Sequence, residues 1–453
     1  MIARARLAAY EVLRAVASGR TDLGAALSRQ RARLDDERDR ALAGEIATGT
    51  LRWQGAYDHV IAAFSNRPVR KLDPEILDIL RLSVFQLLRL ERIPASAAVK
   101  DAVDLAGKAG KRSAAGMVNA ILRRVSRERD RLPLPPRPAD PADRAAAVAY
   151  LSITSSHPEW LVTRWLDRHG FEHAEAWVRF NNSPAPLTLR ANTLRITRED
   201  LAVRLRDEGV RTENSSHASD GLIVREGNPL STAFHAAGLF VVQDEASQLV
   251  GAFAGARPGE HVLDACASPG GKTIAMAAAT RGEGLVVASD VRGRRVGLLR
   301  ETVARAGATN VRIVQADARG SLPFARAFDR VLLDAPCSGL GTVRRDPDIK
   351  WRRHEQDLPA LGQAQQAMLE GAACVVKTGG TIVYATCSSE PEENDEVVEK
   401  FLTTHPDFQQ RGERFRTWPF RDGLEAFFAA MLVKTKDFPP QRAENARWGP
   451  RLR

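Results

Sequence analysis

The sequence predicts a multidomain protein with an all-α N-terminal domain, a small α+β middle domain and a doubly wound α/β C-terminal domain. Three features predict it: helical spacing of apolar residues at the start, a proline-rich segment after them, and short apolar runs beyond residue 240. At 453 residues the chain is also too long for one ordinary domain. We place the domains at 1–135, 145–235 and 236–453.

The first domain shows apolar residues three apart, as in Leu7, Tyr10, Leu13 and Val16, without strand-like alternation. This spacing predicts helices. The segment 131–143 contains five prolines, which cannot continue a helix and favour an extended linker. We therefore expect the helical domain to end there.

The middle domain combines helical and extended sequence patterns. We predict a helix through Trp160 and Trp165, an extended segment from Leu187 to Leu194, and a short helix after Thr197. This mixture indicates an α+β unit.

The C-terminal region repeats a strand-then-helix pattern. Helical stretches, such as 294–306 and 363–377, separate short apolar runs, each ending in a polar or small residue: HVLDAC, LVVASD, VRIVQAD, FDRVLLDAP and TIVYATCS. Such runs are typical of buried parallel strands. We expect a doubly wound sheet that binds its ligand beyond the carboxyl ends of the strands.

The net charge of +10 is unevenly placed. Residues 1–150 contain 27 Lys and Arg against 18 Asp and Glu, whereas the remainder contains 39 against 38. The excess suggests a polyanion bound through phosphates. A solvated basic helix face is the alternative, and charge alone does not decide between them.

Four cysteines in so long a chain are too few for a disulfide scaffold, and none has the spacing of a zinc site. The sequence also lacks a signal-peptide pattern and an apolar run long enough to span a membrane. We expect a cytoplasmic protein with reduced thiols, no metal site and no membrane partner.

The loop DACASPGGKT, residues 264–273, follows the first strand of this region. It is not a Walker A loop, because Cys266 stands where that motif needs glycine, and it lacks the dinucleotide pattern G-x-G-x-x-G. Gly270 and Gly271 nevertheless permit a tight turn with close backbone approach to a ligand.

Acidic residues stand at the ends of four successive predicted strands: Asp264, Asp290, Asp317 and Asp334. Asp290 could accept hydrogen bonds from both hydroxyls of a ribose, and Asp317 could accept one from an adenine amino group. Singly, each acid is more typical of a helix cap or a solvated surface. Together they predict a ligand site.

Cys337 and Cys387 end neighbouring predicted strands and should converge on one crevice. An isolated cysteine is usually a core residue, and we assign Cys374 and Cys266 to the core. Their position makes Cys337 and Cys387 candidates for chemistry, although spacing alone does not say which attacks.

Three motifs, DACASPGGKT, DAPCSGLGTVRRDPDIKW and YATCSSEPEEN, closely resemble those of the NOL/NOP/Sun family of RNA 5-methylcytosine methyltransferases. The paired PC and TC motifs separate this family from DNA cytosine methyltransferases. The resemblance implies a Rossmann-like domain that binds S-adenosylmethionine (SAM). It implies that the SAM site includes Cys266, Ala267, Ser268, Pro269, Gly270, Gly271, Lys272, Asp290, Asp317 and Asp334.

The resemblance also implies that Cys387 is the nucleophile and that Cys337 assists release of the methylated product. Carbon 5 of cytosine is too weak a nucleophile to attack a methyl sulfonium unless a thiolate first adds to carbon 6. Protonation at N3 would help this addition. Asp334 is suitably placed for it if it is held neutral or shares a proton.

The first 125 residues, including ATGTLRW, LDPEILDILRLSVFQL, PASAAVKDAVDLA and MVNAILRR, resemble the antitermination factor NusB. SHPEWL, PLTLRANT and VVQDEASQL complete an order similar to that of family members that act on bacterial 16S ribosomal RNA. The departures, at Ser268, Ser389, Glu390 and the DGLEAFFAA segment, remove no chemical group from the site.

These resemblances predict a monomeric enzyme that methylates one cytosine of 16S rRNA, before the subunit is fully assembled. We expect Arg344, Arg345 and Lys350 to contact RNA, with a solvated loop as the alternative, and Trp351 to help hold a flipped base. The competing functions are a methyltransferase acting on transfer RNA or protein, and an inactive RNA-binding assembly factor.

Overall fold

A computed structural model describes residues 2–436 of the chain. Its first domain is helical, and the apolar faces of the helices meet in one core, as at Val12 and Ile79. This confirms the predicted helical domain. Its helices are α1 (Arg4–Ala17), α2 (Leu23–Arg31), α3 (Glu37–Arg52), α4 (Gln54–Ser65), α5 (Pro74–Arg89), α6 (Ala95–Lys108) and α7 (Ala115–Arg127).

The proline-rich linker has neither helix nor strand between residues 132 and 138, as predicted. Leu132 and Leu134 pack against the core of the helical domain. Arg137 forms ion pairs with Glu172 and Glu175 of the next domain. The linker is therefore fixed at both of its ends.

The middle domain begins with two helices and continues into a four-stranded antiparallel sheet of order β2-β3-β1-β4. Leu189 and Leu205 pack in its core. Its elements are α8 (Arg144–Ala149), a π-helical turn (Tyr150–Thr154), α9 (Glu159–Asn182), β1 (Thr188–Ala191), α10 (Arg198–Asp207), β2 (Arg211–Asn214), β3 (Gly221–Glu226), α11 (Ala233–Ala236) and β4 (Phe240–Val242).

The expected boundary at 235 falls inside this sheet. Strand β4 lies beyond it, yet β4 pairs with β1, with Val242 opposite Leu189. The short apolar run of β4 looked like the start of the C-terminal domain because a strand's partner is not visible in its sequence.

The C-terminal domain carries the predicted doubly wound sheet, with helices on both faces. Its elements are α12 (Glu245–Ala254), β5 (His261–Asp264), α13 (Gly271–Ala279), β6 (Leu285–Asp290), α14 (Gly293–Ala306), β7 (Val311–Gln315), β8 (Phe328–Asp334), α15 (Ile349–Arg352), α16 (Asp357–Val375), β9 (Val376–Thr386), α17 (Asp395–Thr404), β10 (Phe408–Gln410), β11 (Phe415–Arg416), α18 (Pro419–Asp422) and β12 (Phe428–Lys434).

The strand order is β10-β12-β9-β8-β5-β6-β7, and the strands from β9 to β7 are parallel. Strand β12 is antiparallel to β9 and carries β10 and β11 along its other side. The chain proceeds from β5 to β6 on one side and returns to β8 on the other. This reversal opens a crevice at the carboxyl ends of β5 and β8, where such sheets bind their ligands.

Two side chains of α15 join the C-terminal and helical domains. The Trp351 indole donates a hydrogen bond to the carbonyl of Leu51 at 2.6 Å, and the Lys350 Nζ donates to that of Arg52 at 2.9 Å. Both acceptors lie at the end of α3. The first and third domains are therefore in direct contact, although about 300 residues separate these partners.

Among residues 2–436, no helix combines the length and the apolar character that crossing a bilayer would need.

Candidate active site

A cavity of about 570 Å³ lies at the carboxyl ends of the parallel strands. Its size is typical of a small-molecule site. The predicted site residues that line it are Cys266, Ser268, Asp290, Asp317, Asp334, Cys337 and Cys387. Thus residues from five predicted strand ends meet at one cavity.

The loop between β5 and α13 needs glycine at position 270. Gly270 has a φ of 110°, which other residues rarely adopt, and a Cβ there would lie 3.0 Å from the Leu299 side chain. Of the other predicted loop residues, Ala267 and Pro269 do not line the cavity, and Gly271 and Lys272 begin α13. The loop therefore presents Cys266 and Ser268 to the ligand and places a helix N-terminus behind them.

Arg295 of α14 was not predicted, yet it holds two parts of this site together. Its Nε donates to the Asp290 carboxylate at 3.0 Å, and its terminal nitrogen donates to the Ser268 carbonyl at 2.6 Å. Asp317 lies two residues beyond β7 and pairs with Arg319 at 2.7 Å, which lowers the pKa of Asp317. Both carboxylates are thus held at the cavity wall by arginines, where they suit polar groups of a nucleoside.

Asp334 forms an ion pair with Lys272, with 2.6 Å between Nζ and Oδ2. Lys272 also donates to the Ser247 hydroxyl at 2.9 Å. Burial alone would lower the pKa of Lys272, but the charge of Asp334 and its hydrogen bond outweigh that effect and raise it. Lys272 is therefore an ammonium group that its ion pair with Asp334 holds at the strand ends.

Asp264 is the most buried of the strand-end acids, with 1% of its surface exposed. Burial raises its pKa to about 7, although it accepts a hydrogen bond from the Thr273 hydroxyl at 2.6 Å. Asp264 therefore fastens the start of α13 to β5 from beneath the loop and does not line the cavity.

The two candidate thiols meet. The sulfur of Cys337 lies 3.3 Å from that of Cys387, within hydrogen-bonding range for sulfur. Gly341 allows the two loops to pack, because a Cβ there would collide with the Ala426 carbonyl. The Gly341 amide donates to the carbonyl of Cys387 at 3.0 Å. One chemical group of a ligand bound in this cavity can therefore contact both sulfurs.

The four cysteines differ in their surroundings. The hydrogen bond with Cys387 and burial together raise the pKa of Cys337 well above its ordinary value, and burial raises that of Cys266. Cys374 lies in α16, as predicted, but the expectation that it is a core residue is wrong, because its side chain is exposed. The sequence pattern predicted that Cys374 lies in a helix, but it did not indicate which face of that helix the residue occupies.

The expectation that Lys350 contacts RNA is wrong, whereas a role of Trp351 in holding a base stays a prediction. Lys350 has no exposed surface, and both side chains are bound to α3 of the helical domain. Burial lowers the pKa of Lys350 well below its usual range. These residues join domains, a role that their local sequence could not indicate.

Arg344 and Arg345 instead line an open cleft of about 750 Å³ between the three domains. Arg31, Arg52 and Arg89 of the helical domain line it as well. Arg52 donates to the Arg344 carbonyl at 3.1 Å, and Arg344 and Arg345 donate to the carbonyls of Pro184 and Pro186 at 2.7 and 3.2 Å. Arg345 also forms an ion pair with the buried Glu425 at 2.9 Å. The acceptors of Arg52 and Arg344 are neutral carbonyls, so these two arginines keep their positive charge in the cleft.

Family models match each domain. The model of the family described as "16S rRNA methyltransferase RsmB/F" matches residues 254–433. The model of the NusB family matches residues 3–127, and that of the ferredoxin-like domain of RsmF/B-like methyltransferases matches residues 157–231. The NusB-like resemblance of the first domain is thereby confirmed.

Whole proteins are similar as well. The chain is 38% identical over 416 residues, which are 88% of this chain and 91% of the other, to the "Probable ribosomal RNA small subunit methyltransferase B" of Bacillus subtilis (strain 168). The solved structure of PH0851 is 25% identical, covers 96% of this chain and 99% of its own, and has a TM-score of 0.79. That of NSun6 from Pyrococcus horikoshii with SFG, an analogue of SAM, is 22% identical, covers 62% and 99%, and has a TM-score of 0.57.

The family, the fold and the cavity agree on the cofactor. The carboxylates of Asp290 and Asp317 and the apolar side chains of Leu361 and Met368 line one space that suits both the ribose and the adenine of SAM. The protein is a SAM-dependent methyltransferase. With a methyltransferase B relative aligned along most of both sequences, the chain belongs to the 16S rRNA methyltransferase RsmB/F family.

Proposed function

We propose that the protein methylates carbon 5 of a cytosine in 16S ribosomal RNA, through a covalent bond between Cys387 and the base. The observation that carries this proposal is the 3.3 Å separation of the Cys337 and Cys387 sulfurs at the mouth of the cofactor cavity. A methyltransferase acting on a ring nitrogen or a hydroxyl needs no thiol, whereas carbon 5 needs one.

The cofactor supplies an electrophilic methyl group when it is bound. The Cys387 thiolate adds to carbon 6, the electrons of the double bond move to carbon 5, and N3 takes a proton. The ion pair of Lys272 and Asp334 holds that proton close to the thiols. Carbon 5, made nucleophilic in this way, would take the methyl group as the methyl–sulfonium bond breaks and a neutral thioether leaves.

Release reverses the addition. A base removes the proton from carbon 5, the electrons of that bond restore the double bond to carbon 6, the carbon–sulfur bond breaks, and N3 gives up the proton that it took. Cys387 leaves as a thiolate, and the Cys337 thiol stabilises it by donating a hydrogen bond across the 3.3 Å between them. Cys337 thus acts on the product step and Cys387 on the attack.

The arginine-lined cleft supports an RNA substrate. Burial lowers the pKa of Arg52, and its proximity to Arg344 lowers it further, so the two cations repel in the absence of an anion. A phosphate backbone would relieve this repulsion and gain strong charged hydrogen bonds. Since Arg344 follows Cys337 by seven residues, RNA bound in the cleft would lie close to the thiols.

Methyl transfer from labelled SAM to purified RNA tests this proposal. The substrates are deproteinised 16S rRNA from a strain lacking the gene, assembled small subunits from the same strain, and transfer RNA. After digestion to nucleosides, mass spectrometry should place the label in 5-methylcytidine from 16S rRNA. Label in another nucleoside, or in transfer RNA alone, would contradict the proposal.

A further inference from the structure

Glu393 lies beneath the two thiols with no exposed surface. It ends the 3-10 turn Pro391–Glu393, directly before α17. Its carboxylate accepts four hydrogen bonds: from the Ser338 amide at 2.7 Å, the Ser338 hydroxyl at 2.5 Å, the Ser388 hydroxyl at 2.5 Å and the Gln365 amide group at 3.0 Å. These four hydrogen bonds fix the carboxylate in one orientation.

This one carboxylate connects both thiol loops. Ser338 directly follows Cys337, and Ser388 directly follows Cys387. The two serine hydroxyls also lie 3.2 Å apart. Glu393 therefore fixes the residue next to each sulfur, and with it the distance between the sulfurs.

The charges around the sulfurs are asymmetric. Across residues 2–436, no Lys, Arg or His forms an ion pair with Glu393, and the Arg353 guanidinium donates instead to the carbonyls of Ser338 and Cys337 at 2.9 and 3.4 Å. Glu393 adds to the causes that raise the pKa of Cys337. On the other side, the Lys272 ammonium is attracted to the Cys387 sulfur. Glu393 therefore opposes a negative charge on Cys337, and Lys272 lies on the side of Cys387.

We propose that Glu393 is a positioning residue that sets the separation of the two thiols and assigns the proton they share to Cys337, leaving Cys387 as the thiolate that attacks. When the pair is activated, one proton leaves to solvent and the other stays on the Cys337 sulfur. This inference rests on the proposed function, in which Cys387 attacks the base, but the two thiols can be probed without RNA.

The test is alkylation of the RNA-free protein with iodoacetamide over a range of pH, followed by digestion with trypsin and mass spectrometry. Cys266, Cys337, Cys374 and Cys387 lie on four different tryptic peptides, so each rate is measured separately. Exposed Cys374 serves as the internal reference. In the unaltered protein, we expect Cys387 to react at lower pH than Cys337.

Glu393→Gln keeps the size of the side chain and removes its charge. We expect the rate at Cys337 relative to Cys387 to rise about tenfold, as for a relative change of one pKa unit. Glu393→Asp should restore the preference for Cys387. Ser388→Ala removes one of the four hydrogen bonds to the carboxylate, together with the contacts of that hydroxyl with Ser338 and the Glu390 amide, but it leaves the carboxylate, so the preference should persist.

Glu392→Gln is the matched control, because Glu392 pairs with Arg164 and not with the thiol loops. It should leave the ratio unchanged. Equal ratios in Glu393→Gln and Glu392→Gln would overturn the inference. If Glu393→Gln does not fold, a common pH onset for Cys337 and Cys387 in the unaltered protein would overturn it.

The outcome separates this inference from the proposed function. A charge-dependent ratio without 5-methylcytidine formation would uphold the role of Glu393 in the thiol pair and reject the substrate. Formation of 5-methylcytidine with a ratio insensitive to Glu393 would uphold the substrate and reject the role of Glu393 in the thiol pair.

Discussion

The sulfur of Cys337 lies 3.3 Å from that of Cys387, although the two residues are 50 positions apart in the chain. The parallel pairing of β8 with β9 causes this meeting, because it places Asp334 opposite Ala385. Cys337 and Cys387 follow those two residues closely and leave the sheet at the same edge. A base bound there would contact both sulfurs, and the predictions below depend on their separate roles.

Cys337→Ala should leave RNA covalently attached to the protein. The attack by Cys387 does not require Cys337, but the departing thiolate loses its hydrogen-bond donor and release slows. A denaturation-resistant band of higher mass, sensitive to ribonuclease, should appear with SAM and RNA present. Cys374→Ala should give no such band, and its absence in Cys337→Ala would make Cys337 a structural thiol.

The double variant Arg52→Ala and Arg344→Ala should weaken RNA binding and leave SAM binding intact. If each arginine contacts one phosphate, the slope of log affinity against log salt concentration should become shallower by about 1 per arginine. Exposed Arg204 and Arg206 of α10 provide the matched control pair. An equal loss in both double variants would show that only overall charge matters.

Trp351→Ala should loosen the contact between the helical and catalytic domains. Loss of the packed indole and its hydrogen bond to Leu51 should cost about 2–4 kcal/mol of stability. Trypsin should then cut the 131–143 linker faster, since that segment contains Arg131 followed by Leu132. Unchanged stability and proteolysis with lost methylation would instead return Trp351 to a role in holding the base.

Asp264→Asn should change how stability depends on pH. In the folded state Asp264 has a pKa of about 7, whereas its ordinary pKa is 3.8. Between these two pH values the folded state therefore binds more protons than the unfolded state. Stability from this group therefore falls as pH rises from 3.8 to about 7. Above that window, the variant should be more stable by about 2–4 kcal/mol.

Unfolding of both proteins across this pH range, followed by circular dichroism, measures the effect. The curves should converge at acidic pH, where Asp264 is protonated in both states. A constant difference at all pH values would mean that Asp264 does not titrate in this window.

The strand-end residues could be predicted from the sequence because parallel strands share one edge. Once the five apolar runs were recognised, Asp290, Asp334, Cys337 and Cys387 had to lie near one another. The family resemblance then supplied the chemical roles that spacing left open. For such residues, local pattern and topology together determine position.

Residues whose roles depend on distant partners could not be predicted. Trp351 and Lys350 stand in a motif close to the thiols, but their partners Leu51 and Arg52 are in another domain. Glu393 belongs to a recognised motif, yet its connection to Ser338 is visible only after the strands have paired. A sequence pattern shows an element's own periodicity and not the surface that it packs against.

Bisulfite sequencing of 16S rRNA tests the central claim most directly. The rRNA comes from a strain lacking the gene that carries either the unaltered protein or the Cys387→Ser variant at equal abundance. We predict one cytosine that resists conversion with the unaltered protein and is fully converted in the deletion strain and with Cys387→Ser. Equal protection with Cys387→Ser, or no cytosine that depends on the gene, would contradict the proposed reaction.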